Sequence, residues 1–266
     1  MHITGSLTGI GGTPRKLLYL ARHSDAGAIR HAFVSIEGGD LKAEYLSEGS
    51  DLEIVGSAAP FKVIGAALRF ARRFEPDVVS THFTRAFVCG AVVAKILKRP
   101  QIHNEHGPAV LGAEDPALVA QLGRRLRRLW LPKASAILCN SAYTARTIQE
   151  VYGVDAALLR VIHNPVESRA DMAGWRDAHA AEGRPFRIGH IGGMTDWRDQ
   201  HTLVRAIRVL RDAGTHAELI LVGDGPMRTS LQALAEELGL GDSIAFWGYR
   251  QDLRDFFATI DVYVNP

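Results

Sequence analysis

An α/β fold of two parallel-sheet domains in series is what the sequence predicts, and three observations predict it. Short apolar, β-rich runs alternate with amphipathic helical runs along most of the chain. That order builds βαβ units and a parallel sheet covered on both faces. The alternation stops once, at the polar stretch "ESRADMAGWRDAHAAEGRP", which ends in Gly-Arg-Pro and contains no strand. It then resumes with a second series of strands and helices. The expected layout is a first domain over 1–166, a linker over 167–186 and a second domain over 187–266.

In the first domain the strands are expected in "MHITGS", "IRHAFVSI", "LEIVGS", "PDVVSTHF", "QIHNEHG", "SAILCNS" and "LRVIHNPV". Between them, "PRKLLYLARH", "FKVIGAALRFARRF" and "RAFVCGAVVAKILKR" carry apolar residues at helical spacing. In the second domain the strands are "FRIGHIGG", "AELILVGDG", "SIAFWGY" and "DVYVNP". Leu203, Ala206, Ile207 and Leu210 share one helical face, with Arg205, Arg208 and Arg211 on the other. Leu231, Leu234, Ala235 and Leu238 form the apolar face of a further helix, with Pro226 in its first turn and Gly239 as its C-terminal cap. The second series stops at "YVNP", the C-terminal end of a strand, which suggests an incomplete domain and a fragment of a longer chain.

Composition narrows the function classes. Of 266 residues, 47% are hydrophobic and 23% charged, ordinary for a globular protein. The formal charge of +2, from 31 basic and 29 acidic residues, gives no general attraction to nucleic acid. The two cysteines, Cys89 and Cys139, lie in apolar runs and read as buried, inert thiols. Without a disulfide framework, a reducing cytoplasmic compartment is expected. The start lacks the features of a signal peptide, and no apolar run approaches a membrane span.

Several strand ends carry chemistry. "GIGGTPRK" opens a helix, where glycines expose backbone N–H groups to an anion or serve a plain turn. "HNEHG" offers His103, Glu105 and His106, but strand alternation turns the first two away from the third, which disfavours a metal site. "LVGDGPM" places two glycines around an acid where a strand meets a helix. A tight turn is the first reading and ligand contact the second. His82 and Arg85 in "STHFTRA" stand at another strand-to-helix junction, suited to contact with an acceptor or to solvation. Neither "GIGGTP" nor "GDGPMR" has the glycine spacing of a dinucleotide-binding turn, which argues against a nicotinamide oxidoreductase.

Taken in order, "TGIGGTPRKLL", "DVVSTHFTRA", "NEHG", "AILCNSAYTARTI", "RVIHNPVE" and the run from "AELILVGDGP" to "DVYVNP" resemble the GT-B glycosyltransferases of group 1, family 4. The resemblance implies two Rossmann-like domains and transfer of a sugar, with retention, from a nucleotide-diphosphate donor to a glycan or lipid-linked acceptor. It implies no cofactor besides that donor. His106 would face the transferred sugar, and Gly11, Gly12 and Thr13 would touch phosphate or sugar. Arg198, where the family usually has lysine, would hold the diphosphate; the preceding family arginine is replaced by Gly193. Gly248, Tyr249 and Arg250 would meet the nucleotide base. The family's pair of donor-binding glutamates falls beyond the last residue here.

The chain contains no Asp-x-Asp, so metal-independent stabilisation by Arg198, backbone N–H groups and a helix dipole is expected. A sugar-nucleotide epimerase and an inactive nucleotide-binding fragment are the alternatives. Finally, "LGRRLRRLWLPK" spreads Arg124, Arg125, Arg127, Arg128 and Lys133 around Leu126, Leu129 and Trp130. It reads either as a solvated helix or as a peripheral contact with an anionic membrane surface.

Overall fold

The apolar runs become strands where the pattern places them. The computed structural model describes residues 1–9, 12–107, 117–165, 184–250 and 252–266. The chain divides into two units, Met1–Val166 and Glu167–Pro266. The linker expected over 167–186 lies almost entirely outside the described residues.

In the first unit the strands are β1 (His2–Thr4), β2 (Ala32–Ser35), β3 (Asp51–Ile54), β4 (Val79–His82), β5 (Gln101–Glu105), β6 (Ala136–Cys139) and β7 (Leu159–Val161). They form one sheet in the order β3-β2-β1-β4-β5-β6-β7, and every pairing is parallel. The helices are α1 (Gly12–His23), α2 (Lys42–Ser47), α3 (Pro60–Phe74), α4 (Thr84–Leu97), α5 (Ala117–Trp130) and α6 (Ala142–Tyr152). The short α2 has no counterpart in the sequence reading, because one and a half turns show too little periodicity.

Local chemistry sets the helix ends. Pro60 begins α3, where its missing N–H costs nothing. Ser141 caps α6 by accepting from the Thr144 N–H at 3.0 Å, and Gly153 ends it in the left-handed conformation at φ +65°. One core cluster joins Ile3, Val34, Val63, Phe70, Val79 and Val93. Two others gather Leu7, Leu17, Phe33 and Tyr45, and Phe87, Ile137, Ile148 and Tyr152. Each such side chain contributes roughly 1.5–3 kcal/mol on burial, so the strand ends are held by a close-packed scaffold.

The second unit holds β8 (Phe186–Ile191), β9 (Ala217–Val222), β10 (Ile244–Gly248) and β11 (Val262–Tyr263), ordered β10-β9-β8-β11 and all parallel. Its helices are α7 (Gln200–Asp212), α8 (Arg228–Glu237) and α9 (Arg254–Thr259). On α7 the buried residues are Gln200, Leu203, Val204 and Ile207. Ala206 is exposed, so the apolar stripe is rotated by one position from the expected one. Pro226 precedes α8 rather than sitting in its first turn, because the chain makes a turn over 226–227 before the helix begins. Gly239, at φ +65°, ends α8 with the Leu240 N–H on the Ala235 carbonyl at 2.7 Å. Among the described residues, no helix is long and apolar enough to cross a membrane.

Candidate functional site

Each sheet reverses its winding at one point, and ligands of open α/β sheets bind outside the strand ends there. In the first unit the reversal falls between β1 and β4. The loop after β1 is pinned by Asp40, which accepts from the Gly9 N–H at 2.6 Å, and by Arg15, which donates to the Gly9 carbonyl at 2.9 Å. Gly12 is exposed and opens α1; Thr13 is buried behind it. Gly11 lies outside the described residues.

After β4 the chain turns through Phe83 at φ +69°, a strained conformation for a bulky residue. Such strain gathers at functional turns. The turn leaves the Phe83 ring exposed and 5.2 Å from that of His106, centroid to centroid. His106 follows β5; the Asn140 side chain donates to its carbonyl at 2.9 Å. Its Nε2 lies 3.0 Å from His82 Nδ1. Burial first, then the nearby Lys16 charge, pushes His106 down to about 4, so the ring is neutral at pH 7. Lys16, half-buried on α1, is itself lowered by burial. Lys16 was missed as a site residue in the sequence, although "GIGGTPRK" places it within the first turns of the helix that the glycine loop opens.

Behind this surface lies a buried polar network. Gln101 donates to Thr81 Oγ1 at 3.3 Å, and Thr81 Oγ1 is 3.0 Å from His103 Nδ1. His103 Nε2 is 3.3 Å from Glu105 Oε2, and Glu105 pairs with Arg127 of α5. His103 and Glu105 thus share a face, away from His106, as strand alternation requires.

Two expected roles need correction. His82 is 1% exposed, and both its ring nitrogens contact other histidines, His2 and His106. It therefore supports His106 from behind and offers no surface to an acceptor. Arg127 is 2% exposed, tied to Glu105 and stacked 4.7 Å over the Tyr152 ring. It does not belong to an exposed basic face. Arg85, by contrast, is exposed.

In the second unit the reversal falls between β8 and β11. The segments that end β8, β9 and β10 zip together beside it. The Gly192 N–H donates to Val222 O at 2.9 Å, Met194 N–H to Asp224 O at 2.9 Å, and Gly223 N–H to Gly248 O at 2.8 Å. This explains "GDG". A Cβ on Gly223 would stand 2.1 Å from the Gly192 carbonyl oxygen, and one on Gly225 would stand 2.4 Å from that of Met194. Both residues also occupy positive φ, at +129° and +156°. Only glycine fits that close approach, and the tight-turn reading accounts for both positions.

Below the loops, His190 is 1% exposed. Its Nδ1–H donates to Val264 O at 2.9 Å, which leaves Nε2 to accept, at 3.4 Å, from the Gln200 carboxamide. Gln200 also donates to Gly193 O at 3.0 Å. Burial chiefly, and the Arg198 charge to a lesser degree, hold His190 below its ordinary range. Arg198 ends the short turn Asp196–Arg198 that follows β8. Gly248, at φ +70°, ends β10; Tyr249 and Arg250 beyond it are exposed, with the Arg250 guanidinium 5.6 Å from the Trp247 ring centre. His190 and Gln200 escaped the sequence reading because nothing in "FRIGHIGG" distinguishes a loop-bracing histidine from an ordinary strand residue.

Two family profiles match the chain. Glycosyl transferases group 1 covers residues 185–266, and Glycosyltransferase Family 4 covers residues 10–169, more than half the chain. The chain belongs to Glycosyltransferase Family 4. The 2-deoxystreptamine glucosyltransferase of Streptomyces kanamyceticus is 24% identical over 216 residues, 75% of this chain and 56% of that protein. The lipopolysaccharide core biosynthesis glycosyltransferase LpsE of Rhizobium meliloti is 38% identical over 147 residues, 55% of this chain and 42% of that protein. This family member thus spans about half the length of the curated relatives it matches. A crystal structure of Anabaena HepE in complex with UDP and glucose aligns with 99% of this chain and 73% of that one, at TM-score 0.75 and 21% identity. That likeness shows the GT-B fold, built from two Rossmann-like units.

Proposed function

We propose that this chain moves a sugar, with retention and without a metal, from a nucleotide-diphosphate donor to a glycan or lipid-linked acceptor. The observation that carries the reading is a neutral, half-buried His106 one strand from the winding reversal of its sheet, against the His82 that ends β4, on a chain of this family. Arg198 beside the braced loops at the reversal of the other sheet is consistent with it. The UDP and glucose bound to Anabaena HepE support a nucleotide sugar as donor.

Breaking the sugar–phosphate bond puts negative charge on the departing diphosphate and positive character on the ring. Arg198 would meet that anion with a fixed charge, and Gly248, Tyr249 and Arg250 would contact the base. Gly12 and Thr13 would present the start of α1 to phosphate or sugar. A neutral imidazole at His106 accepts from a sugar hydroxyl without adding charge beside the developing cation. The departing phosphate takes the acceptor's proton. The absence of Asp-x-Asp from the sequence supports metal independence.

The test is incubation with a panel of nucleotide-diphosphate sugars and acceptors, with and without chelator, following nucleotide release and product anomeric configuration by NMR. Retained configuration, unaffected by chelator, is expected. His106→Ala is expected to lower kcat by roughly 10²-fold. An inverted product refutes retention, and release abolished by chelator refutes metal independence.

A membrane-facing role for α5 rests on a narrower set of side chains than the sequence offered. Arg124, Arg125, Arg128 and Lys133 are exposed, and Leu129 among them is 61% exposed. Each basic residue near an anionic surface contributes ~1 kcal/mol. Co-sedimentation with phosphatidylglycerol vesicles is expected, and it should weaken at least tenfold in Arg124→Glu/Arg128→Glu. Equal binding to neutral phosphatidylcholine vesicles counts against the surface.

A further inference from the structure

Four histidines from four different segments form one hydrogen-bonded line through the first unit. His31 precedes β2, His2 begins β1, His82 ends β4 and His106 follows β5. His31 Nδ1 is 3.0 Å from His2 Nε2, His2 Nδ1 is 3.2 Å from His82 Nε2, and His82 Nδ1 is 3.0 Å from His106 Nε2. The rings also stack: centroids of His2 and His31 are 5.2 Å apart, and those of His82 and His106 are 5.3 Å apart. His2 and His82 are buried, while His31 and His106 at the two ends are half-buried.

The outer end of the line fixes where every proton sits. His31 Nε2 is 2.8 Å from Ser24 Oγ. The Ser24 hydroxyl donates its single proton to the Leu20 carbonyl at 2.7 Å. A carbonyl can only accept, so Ser24 Oγ must accept from His31 Nε2–H. A neutral imidazole carries one N–H. Burial lowers all four rings, which keeps them neutral at pH 7. His31 Nδ1 is then bare and accepts from His2 Nε2–H; His2 Nδ1 accepts from His82 Nε2–H; and His82 Nδ1 accepts from His106 Nε2–H. Ser80 Oγ, 3.4 Å from His82 Nε2, shares that same proton. The last atom of the chain, His106 Nδ1, is left as a bare lone pair with no hydrogen bond among the described residues.

We propose that Ser24, His31, His2 and His82 act as a tautomer relay that holds His106 as an Nε2–H imidazole, with Nδ1 committed to accept a proton donor from the ligand. They are positioning residues; His106 alone would touch substrate. The ligand class this selects is a hydroxyl-bearing sugar, which donates to Nδ1. An ether or a fully ionised oxyanion meets a lone pair there and is disfavoured. The choice of sugar as ligand rests on the proposed transferase reading, whereas the relay itself does not.

The two claims separate in one experiment on the 266-residue chain, labelled with ¹⁵N-histidine and read by long-range ¹H–¹⁵N correlation at pH 7. The expected result is a single His106 tautomer, with a pyridine-type Nδ1 and a pyrrole-type Nε2. His2→Phe keeps a flat ring against Phe33 but removes both the donor and the acceptor. It should turn the His106 signals into a tautomer average. His2→Gln supplies an acceptor and a donor again and should restore the single form. If His2→Phe does not fold, His31→Phe at the half-buried end should produce the same averaging. A wild-type His106 carrying its proton on Nδ1 overturns the relay, and so does His106 tautomerism indifferent to every folded variant. Retained tautomerism with no sugar transfer overturns only the function.

Discussion

Replacing Arg198 with alanine is expected to lower the kcat of sugar transfer by roughly 10²–10³-fold while changing nucleotide-sugar KM much less. Removing one fixed electrostatic partner of a developing anion typically costs this much. On the proposed role the asymmetry follows, because charge on the diphosphate would grow as the sugar–phosphate bond breaks, so the guanidinium would favour the transition state over the bound donor. The residue's setting supports the role. It closes the turn after β8, at the sheet's winding reversal, and its charge reaches the ring of His190 beneath the zipped loops. Arg198→Lys keeps the charge in the form usual for this family and should lose less than tenfold. Rates for Arg198→Ala within twofold of the parent, measured by nucleotide release at saturating donor, would remove the residue from the mechanism.

The fold was readable because its physics is local and periodic. Strands such as β9 are buried on both faces over "LILV", residues 219–222, and appear there as an unbroken apolar run. Helices such as α3 carry their buried residues Val63, Ala67, Phe70 and Phe74 at helical spacing. Ala206 and Pro226 were misplaced because a shift of one or two residues barely changes a periodic pattern. The site was less legible. His106 and Arg198 stood out only through resemblance, since a strand-end histidine and a loop arginine look ordinary in isolation. The histidine line was invisible, because residues 2, 31, 82 and 106 share no spacing and are aligned only by the strand order β2-β1-β4-β5. Arg127 was misread for the opposite reason. It sits in a run of basic residues that looks uniformly solvated, yet one position in the run points inward to Glu105.

That inward pair sets the largest expected stability effect. Glu105→Ala should destabilise the first unit by about 3–5 kcal/mol, because it leaves a buried guanidinium without its counter-charge. Arg127 is 2% exposed and Glu105 is 9% exposed. The remaining Arg127 contacts, Thr84 Oγ1 at 3.1 Å and the Tyr152 ring face, are neutral. Burial alone would raise the Glu105 carboxyl, but the adjacent His103 and Arg127 outweigh it and hold the group below its ordinary range. The sign of the pH dependence follows from that lowered value. The pair's contribution is fully present above the unfolded carboxyl value of about 4.3 and is lost as pH falls through the lower folded value. Urea unfolding at pH 7 and at stepwise lower pH should show the parent converging on Glu105→Ala in acid, with the gap widest near neutrality. Glu105→Leu combined with Arg127→Met removes both charges and should recover most of the loss, since an apolar pair of similar volume carries no desolvation cost. The same pair anchors the residue immediately before His106. Glu105→Ala should therefore also blur the His106 tautomer signals, and a variant that unfolds like the parent at neutral pH refutes the pair's role in holding this strand end.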